Sequence, residues 1–251
     1  MRRENVAGTG WGENMRAVRI SFFHMLRFVR KDMMLLAAGI LPFLIGIIMR
    51  LGIPYIEKLL MSAIGVASVL KPYYSLFDIF YAAITPVMLC FIAAMVMLEE
   101  HDDHIDRYLF VTELGRSGYF ISRIAIPAVA SFVVTMVVLP IFCISSLSAF
   151  EVFSLALGGT LQAIIISMLV VALSSNKLEG MALTKLSSLL MLGAVVPYVM
   201  PRPYGYLLAF MPSFWTGLQI TEKQPLFFPA AVAVSGVWIL ILKRKLEVKI
   251  R

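Results

Sequence analysis

The run His101-Asp102-Asp103-His104-Ile105-Asp106 sets two imidazoles three residues apart among three carboxylates. Imidazole and carboxylate are ligands for divalent ions. No second ligand set stands elsewhere in the chain, and the same residues also read as a solvated charged face. Asp-rich turns begin helices well. We assign no metal site and no catalytic residue to the cluster. Its surroundings are the more informative feature. Residues 98–123 hold six of the 15 acidic residues (Glu99, Glu100, Asp102, Asp103, Asp106 and Glu113) and two of the three histidines. Apolar runs long enough to cross a bilayer flank this stretch on both sides. Charge concentrated in one internal loop of a membrane protein implies a contact made in water, with a metal, a substrate or a partner.

Chemistry elsewhere is sparse. Asp78 falls at the outer edge of the second apolar run, and Lys177, Glu179 and Lys185 at inner ends. Ion-driven carriers place charged or polar relays at mid-membrane, and intramembrane hydrolases pair a nucleophile with a base or metal ligands. Neither set is evident. Gln162, Ser131, Thr135 and Ser167 suit hydrogen bonding between helices. Cys90 and Cys143 both lie in apolar runs, with no metal-site spacing.

The elements that hold the loop follow from composition. The 251 residues are 60% hydrophobic and 15% charged, with mean hydropathy +0.88; a soluble domain carries about 25% charged residues. The expected class is an all-α polytopic membrane protein, six transmembrane helices preceded by an amphipathic interfacial helix. The net charge of +7 is explained by span-end residues that set topology and meet anionic lipid. No nucleic-acid motif accompanies it, and no nucleic-acid partner is expected.

Residues 1–14 are polar and Gly-rich and read as a flexible tail. Residues 15–251 read as a single six-span domain. In 15–31, Val18, Phe22, Met25 and Val29 share one helical face, while Arg16, Arg19, Arg27 and Arg30 gather opposite, interrupted by Ile20 and Phe23. Such a basic amphipathic helix suits the headgroup layer of the lipid. The spans are expected at 33–49, 77–98, 119–144, 153–173, 183–200 and 226–242, each near the roughly 20 residues a bilayer requires.

Arg and Lys number seven before the first span, three after the second (with Arg123, in the first turns of the third), two after the fourth and five after the sixth. The opposite side has five: Arg50, Lys58, Lys71, Arg202 and Lys223. This asymmetry puts both termini and the charged loop in the cytoplasm. On the outer side, 52–75 can form a short surface helix. Residues 201–225 read as a re-entrant or interfacial hairpin, with Tyr204, Tyr206, Phe214 and Trp215 at the interface.

Within the loop, Ile105, Tyr108 and Leu109 stand at helical spacing. They give a short helix one apolar edge and an acidic flank, suited to insertion in a groove on another protein. Gly115–Gly118 reads as a turn, with Ser117 as N-cap of the third span.

These features together resemble the membrane subunit of ABC-2 type exporters, and the drug-export permeases of the fluoroquinolone-exporter type. The resemblance covers the chain from Met15 onward. It rests on the lead helix, the six spans, and the order Glu99-Glu100, a helix around 102–109, then Val111-Thr112-Glu113-Leu114. The last element is similar to a Val-Thr-Pro-Leu segment, with Glu113 in place of proline. Asn176-Lys177-Leu178-Glu179-Gly180 resembles a loop of the same permeases.

The resemblance implies a coupling loop at 99–118, in which Glu99, Glu100, Asp102, Asp103, Ile105, Asp106, Tyr108 and Leu109 meet a cytoplasmic ABC ATPase. It implies an elbow helix at 15–31 beside that loop, in a bacterial cytoplasmic membrane. It also implies pairing with a second copy or a sister permease. The chain has no G-x-x-x-x-G-K-[ST] loop, so it is expected to be a transport subunit without cofactor. ATP and Mg would bind the partner ATPase. The apolar interior suggests a hydrophobic or amphipathic cargo. The competing classes are an ion-gradient-driven secondary transporter and a membrane-embedded enzyme or assembly factor.

Overall fold

A backbone in lipid finds no water for its polar groups and must bond within itself, so the apolar runs become helices. The structure, a computed structural model, describes residues 9–64 and 68–249. The main elements are α1 (Thr9–Val29), α2 (Met33–Ile64), α3 (Tyr74–Asp102), α4 (Ile105–Val111), α5 (Gly115–Phe142), α6 (Ala149–Leu173), α7 (Lys177–Val199), α8 (Pro212–Glu222) and α9 (Phe227–Lys249), with short helical turns at Lys71–Tyr73, Arg202–Gly205 and Tyr206–Leu208. No strand occurs among the described residues. Six of the helices are long and apolar enough to cross a membrane: α2, α3, α5, α6, α7 and α9.

α3 and α6 form the centre, and α2 and α9 are the most exposed of the six. The core between the central pair includes Met95, Leu98, Ile165 and Val170. Gly159 lets the two backbones approach: a Cβ placed there would lie 2.3 Å from the carbonyl oxygen of Ala82. Each central helix also has its own terminal fastening. Ser148 and Glu151 form a reciprocal capping box at the start of α6. Asp78 on α3 is fully buried and accepts from the backbone N–H groups of Ile144 (2.9 Å) and Ser145 (2.8 Å), and from the Ser145 hydroxyl. It thereby ties the loop after α5 to α3.

Several expectations are corrected. The first span does not end near Met49. Pro42 and Pro54 are both accommodated, and α2 runs for 32 residues, about 48 Å. Glu57 on its last turns accepts from Val69 and Leu70 N–H at 3.0 and 2.7 Å, so the separate surface helix expected in 52–75 is largely the continuation of α2. Residues 65–67 of that segment lie outside the described residues. Of the tail expected at 1–14, residues 1–8 also lie outside them, and from Thr9 the backbone is helical.

The segment 201–225 folds back as α8, which packs beside α7, α6 and α9. Phe214 is buried at its centre rather than at an interface belt; Tyr204 and Tyr206 stay exposed. α8 contributes Gln219, whose amide donates to Ser154 of α6 at 2.6 Å.

Two span segments depart from α geometry. In α5, Ile121–Ala125 form a π turn, with Ile126 N–H bonding Ile121 O. Pro127 follows, and without an N–H it cannot bond the Arg123 carbonyl four residues back. In α7, Ser188–Val195 is 3₁₀. Pro197 beyond it offers no N–H to Gly193, whose carbonyl bonds Val196 N–H instead.

Candidate coupling surface at the charged end

α3 ends at Asp102, where a left-handed residue, His104 (φ 58°), reverses the chain. Asp106 in the first turn of α4 is buried and accepts from His101 Nδ1 at 2.7 Å and Arg107 N–H at 2.8 Å. These bonds pin α4 to the end of α3. His104 itself is exposed at the turn, and no group of three or more His, Cys, Asp or Glu stands together as a metal cradle among the described residues.

After α4, Thr112 is extended and Gly115 N–H bonds Thr112 O at 3.1 Å. Glu113 takes the second position of this turn, the place where proline is favoured. Gly115 has φ +60°, a conformation that glycine adopts without strain. α5 begins at Gly115. Ser117 is therefore two residues inside the helix, with Leu114 at the N-cap position, and the expected Ser117 cap is not formed.

The acidic pair that sequence reasoning assigned to the partner is engaged within the chain. Glu100 accepts from Arg123 of α5 through Nε (2.9 Å) and Nη2 (2.5 Å), and from the Tyr119 hydroxyl (2.9 Å). The Arg123 side chain is 3% exposed. Its Nη1 reaches back to Ser21 of α1, bonding the carbonyl at 3.0 Å and the hydroxyl at 3.1 Å. One guanidinium thus joins α1, α3 and α5. Glu99 accepts from Lys177 Nζ at 2.6 Å, and the same ammonium donates to Asp32 at 2.8 Å. Asp32 caps α2 through Met34 N–H (2.9 Å) and Leu35 N–H (3.3 Å). Lys177 opens α7, so a second cation joins α2, α3 and α7. Asp102 accepts from Lys177 N–H at 3.1 Å; Asp103 is exposed.

The side chain of Lys177, donating to Asp32, holds that carboxyl below its usual range. A depressed acid stabilises the fold above its unfolded value and loses that contribution as pH falls through its folded one. The contact should therefore contribute in full, and independently of pH, near neutrality. The Lys177→Met variant and the wild type should converge only as pH falls below about 4. A thermal-unfolding series against pH checks this.

On α4, Ile105 and Tyr108 face outward, Tyr108 73% exposed. Leu109 does not join them; it turns inward against the core. The outer edge is instead completed by Val111, 84% exposed, which sequence reasoning had not marked as a contact. On α1, Arg16, Arg19 and Arg27 are exposed, as is Arg30 just past its end. The stripe of Val18, Phe22, Met25 and Val29, on a helix expected in the headgroup layer, packs on the bundle. The large apolar side chains of α1 that stay exposed are Met15, Ile20, Phe23, Leu26 and Phe28. A cleft of about 750 Å³ opens between α1 and α4, lined by Arg16, His24, Ile105, Glu113 and Arg123 among others.

Residues 25–243 match the family described as fluoroquinolones export permease protein Rv2686c-like. The chain belongs to this family. No curated protein and no solved structure gives a match. The matched stretch of the permease runs from Met25 in α1 to Lys243 in α9 and includes α4, Arg123 and Lys177. The two clamping cations were missed in the sequence although a signal existed. Arg123 falls inside the expected third span, and an arginine there needs an anionic partner. Glu99 and Glu100, directly after the expected second span, were candidates for that partner.

Proposed function

We propose that this export permease is the transmembrane subunit of an ATP-driven ABC-2 type exporter. In this reading the charged end and both termini lie in the cytoplasm, and a separate ABC ATPase binds and hydrolyses ATP with Mg. The observation that carries the reading is α4. It is a seven-residue helix with Ile105, Tyr108 and Val111 bare on one side and its roots pinned to the spans. A partner groove that receives those three side chains gains apolar contact. Force applied there passes through Asp106 and His101 into α3, and from Glu100 through Arg123 into α5 and α1. The cleft between α1 and α4 accepts polar groups of the same partner.

A pair of such subunits, identical or sister chains, would enclose the path. The exposed apolar side of α2, including Ile40, Leu44, Ile47 and Leu51, is available for that pairing or for lipid. The cargo moved outward is hydrophobic or amphipathic, and the drug class in the family's description is the first to try.

The test is co-expression with an ABC ATPase from a neighbouring gene. Tyr108→Glu/Val111→Glu should lower co-purification of the ATPase at least about tenfold, the scale of losing one interface hot spot. Membrane insertion and thermal stability should stay as in the wild type, because both side chains are solvent-facing. Undiminished co-purification sinks the docking assignment. Reconstituted vesicles that export cargo with the ATPase omitted sink the ATP-driven reading.

A further inference from the structure

We propose that the groove between α5, α6 and α9 at the charged end is a binding site for an anionic phospholipid. The groove encloses about 590 Å³, within the roughly 300–1,000 Å³ of ligand pockets. Its basic residues stand toward one end. On α5 the lining descends from Arg116 and Ser117 to Ile121 and Ala125; on α9 it runs from the buried Leu246 through Lys243 to Ile239; on α6 it includes Met168. Among the described residues, no acidic side chain lines it. Arg116 is the second residue of α5, and Lys243 lies three residues from the end of the apolar span in α9. The two basic groups thus flank the mouth at the depth where a bilayer keeps its headgroups, with every apolar lining residue but Leu246 deeper. A phosphodiester between Arg116 and Lys243, with an acyl chain running past Ile121 and Ala125, matches that gradient. Basic pockets between transmembrane helices recognise anionic headgroups in this manner.

The backbone builds the groove as well. The lining residues Ile121, Ile124 and Ala125 belong to the π turn that Pro127 imposes. A wider turn changes the angular spacing of α5 against α6 and α9, and π turns recur at functional sites. Arg116 is held near the mouth by Phe110, its guanidinium carbon 5.7 Å from the ring centre.

The test is lipid titration of the delipidated full chain in detergent, with bound lipid counted by native mass spectrometry. Phosphatidylglycerol should bind more tightly than phosphatidylcholine of identical acyl chains. Each basic residue near the headgroup is worth about a factor of five, so Arg116→Gln/Lys243→Gln should lower phosphatidylglycerol affinity roughly 25-fold and leave phosphatidylcholine unchanged. Ala125→Trp should reduce binding of both lipids by filling the apolar wall. Equal binding of the two lipids by wild type overturns the proposal, as does a phosphatidylglycerol preference that survives the double substitution. Equal competition by glycerol phosphate, which has no acyl chain, would show an anion site without a lipid and also overturns it. So does an Ala125→Cys cross-link between two copies in a background lacking Cys90 and Cys143, because the groove would then be covered by a second chain.

Discussion

Arg123→Met is expected to destabilise the protein by about 3–5 kcal/mol, the usual penalty for removing one member of a buried ion pair. The midpoint of thermal unfolding in detergent should fall on the order of 10 °C. The reason is what remains behind. Glu100, with its side chain 14% exposed, would keep the Tyr119 hydroxyl but lose its only guanidinium. Ser21 would lose both of its bonds to Arg123, loosening α1 as well. Removing the acid too separates this charge effect from lost packing. Arg123→Met/Glu100→Leu should recover most of the loss, since an apolar pair of similar volume often replaces a buried ion pair without penalty. A single variant melting with the wild type would remove the clamp from the account.

Gly159→Ala should be the second severe change. The methyl group would sit 2.3 Å from Ala82 O and 3.2 Å from Ala83 Cα, all backbone of α3. Backbone cannot swing aside as a side chain can, so α3 and α6 must separate along their shared core. Overpacking of this kind is destabilising by roughly 1–3 kcal/mol, and a larger residue such as leucine should prevent assembly. Gly236→Ala in α9 is the control. Nothing lies within 4 Å of its added methyl, and alanine is the better helix former by about 1 kcal/mol. Size-exclusion profiles and melting curves should show the first variant impaired and the second unharmed or improved. Equal behaviour of the two would refute the close-approach argument.

Much of this architecture was legible in the chain because hydropathy is a strong signal over 20 residues. All six spans and the lead helix were located that way. Hydropathy does not tell which apolar face meets lipid and which meets protein. Val18 and Met25 made the same pattern either way; their burial in the bundle core and the Ser21–Arg123 bonds decide it. The length of α2 was hidden by Arg50, Pro54, Glu57 and Lys58, which read as the end of a span. The structure uses Glu57 to hold the next loop and lets the helix continue. In the charged loop, the docking edge was read with a helix begun near Asp102. The left-handed turn at His104 restarts the helix at Ile105, which turns Leu109 inward and brings Val111 out. A one-turn break in the backbone leaves no periodic trace over seven residues, so its phase could not be taken from spacing. Glu99 and Glu100 stood out as charges, but their partners were 78 and 23 residues away.

α7 carries a consequence of its own. Eight of its residues, Ser188–Val195, are wound at about 2.0 Å and three residues per turn, where an α-helix advances 1.5 Å at 3.6 per turn. The segment is therefore about 4 Å longer than its residue count requires in α form. Rewinding it would draw the two ends of the span together by that amount and swing the far end by roughly 160°. Lys177 anchors one end of this spring to α2 and α3, and α8 rests on its middle. Length and facing are thus adjustable in one span while the central pair, locked at Gly159, keeps its spacing.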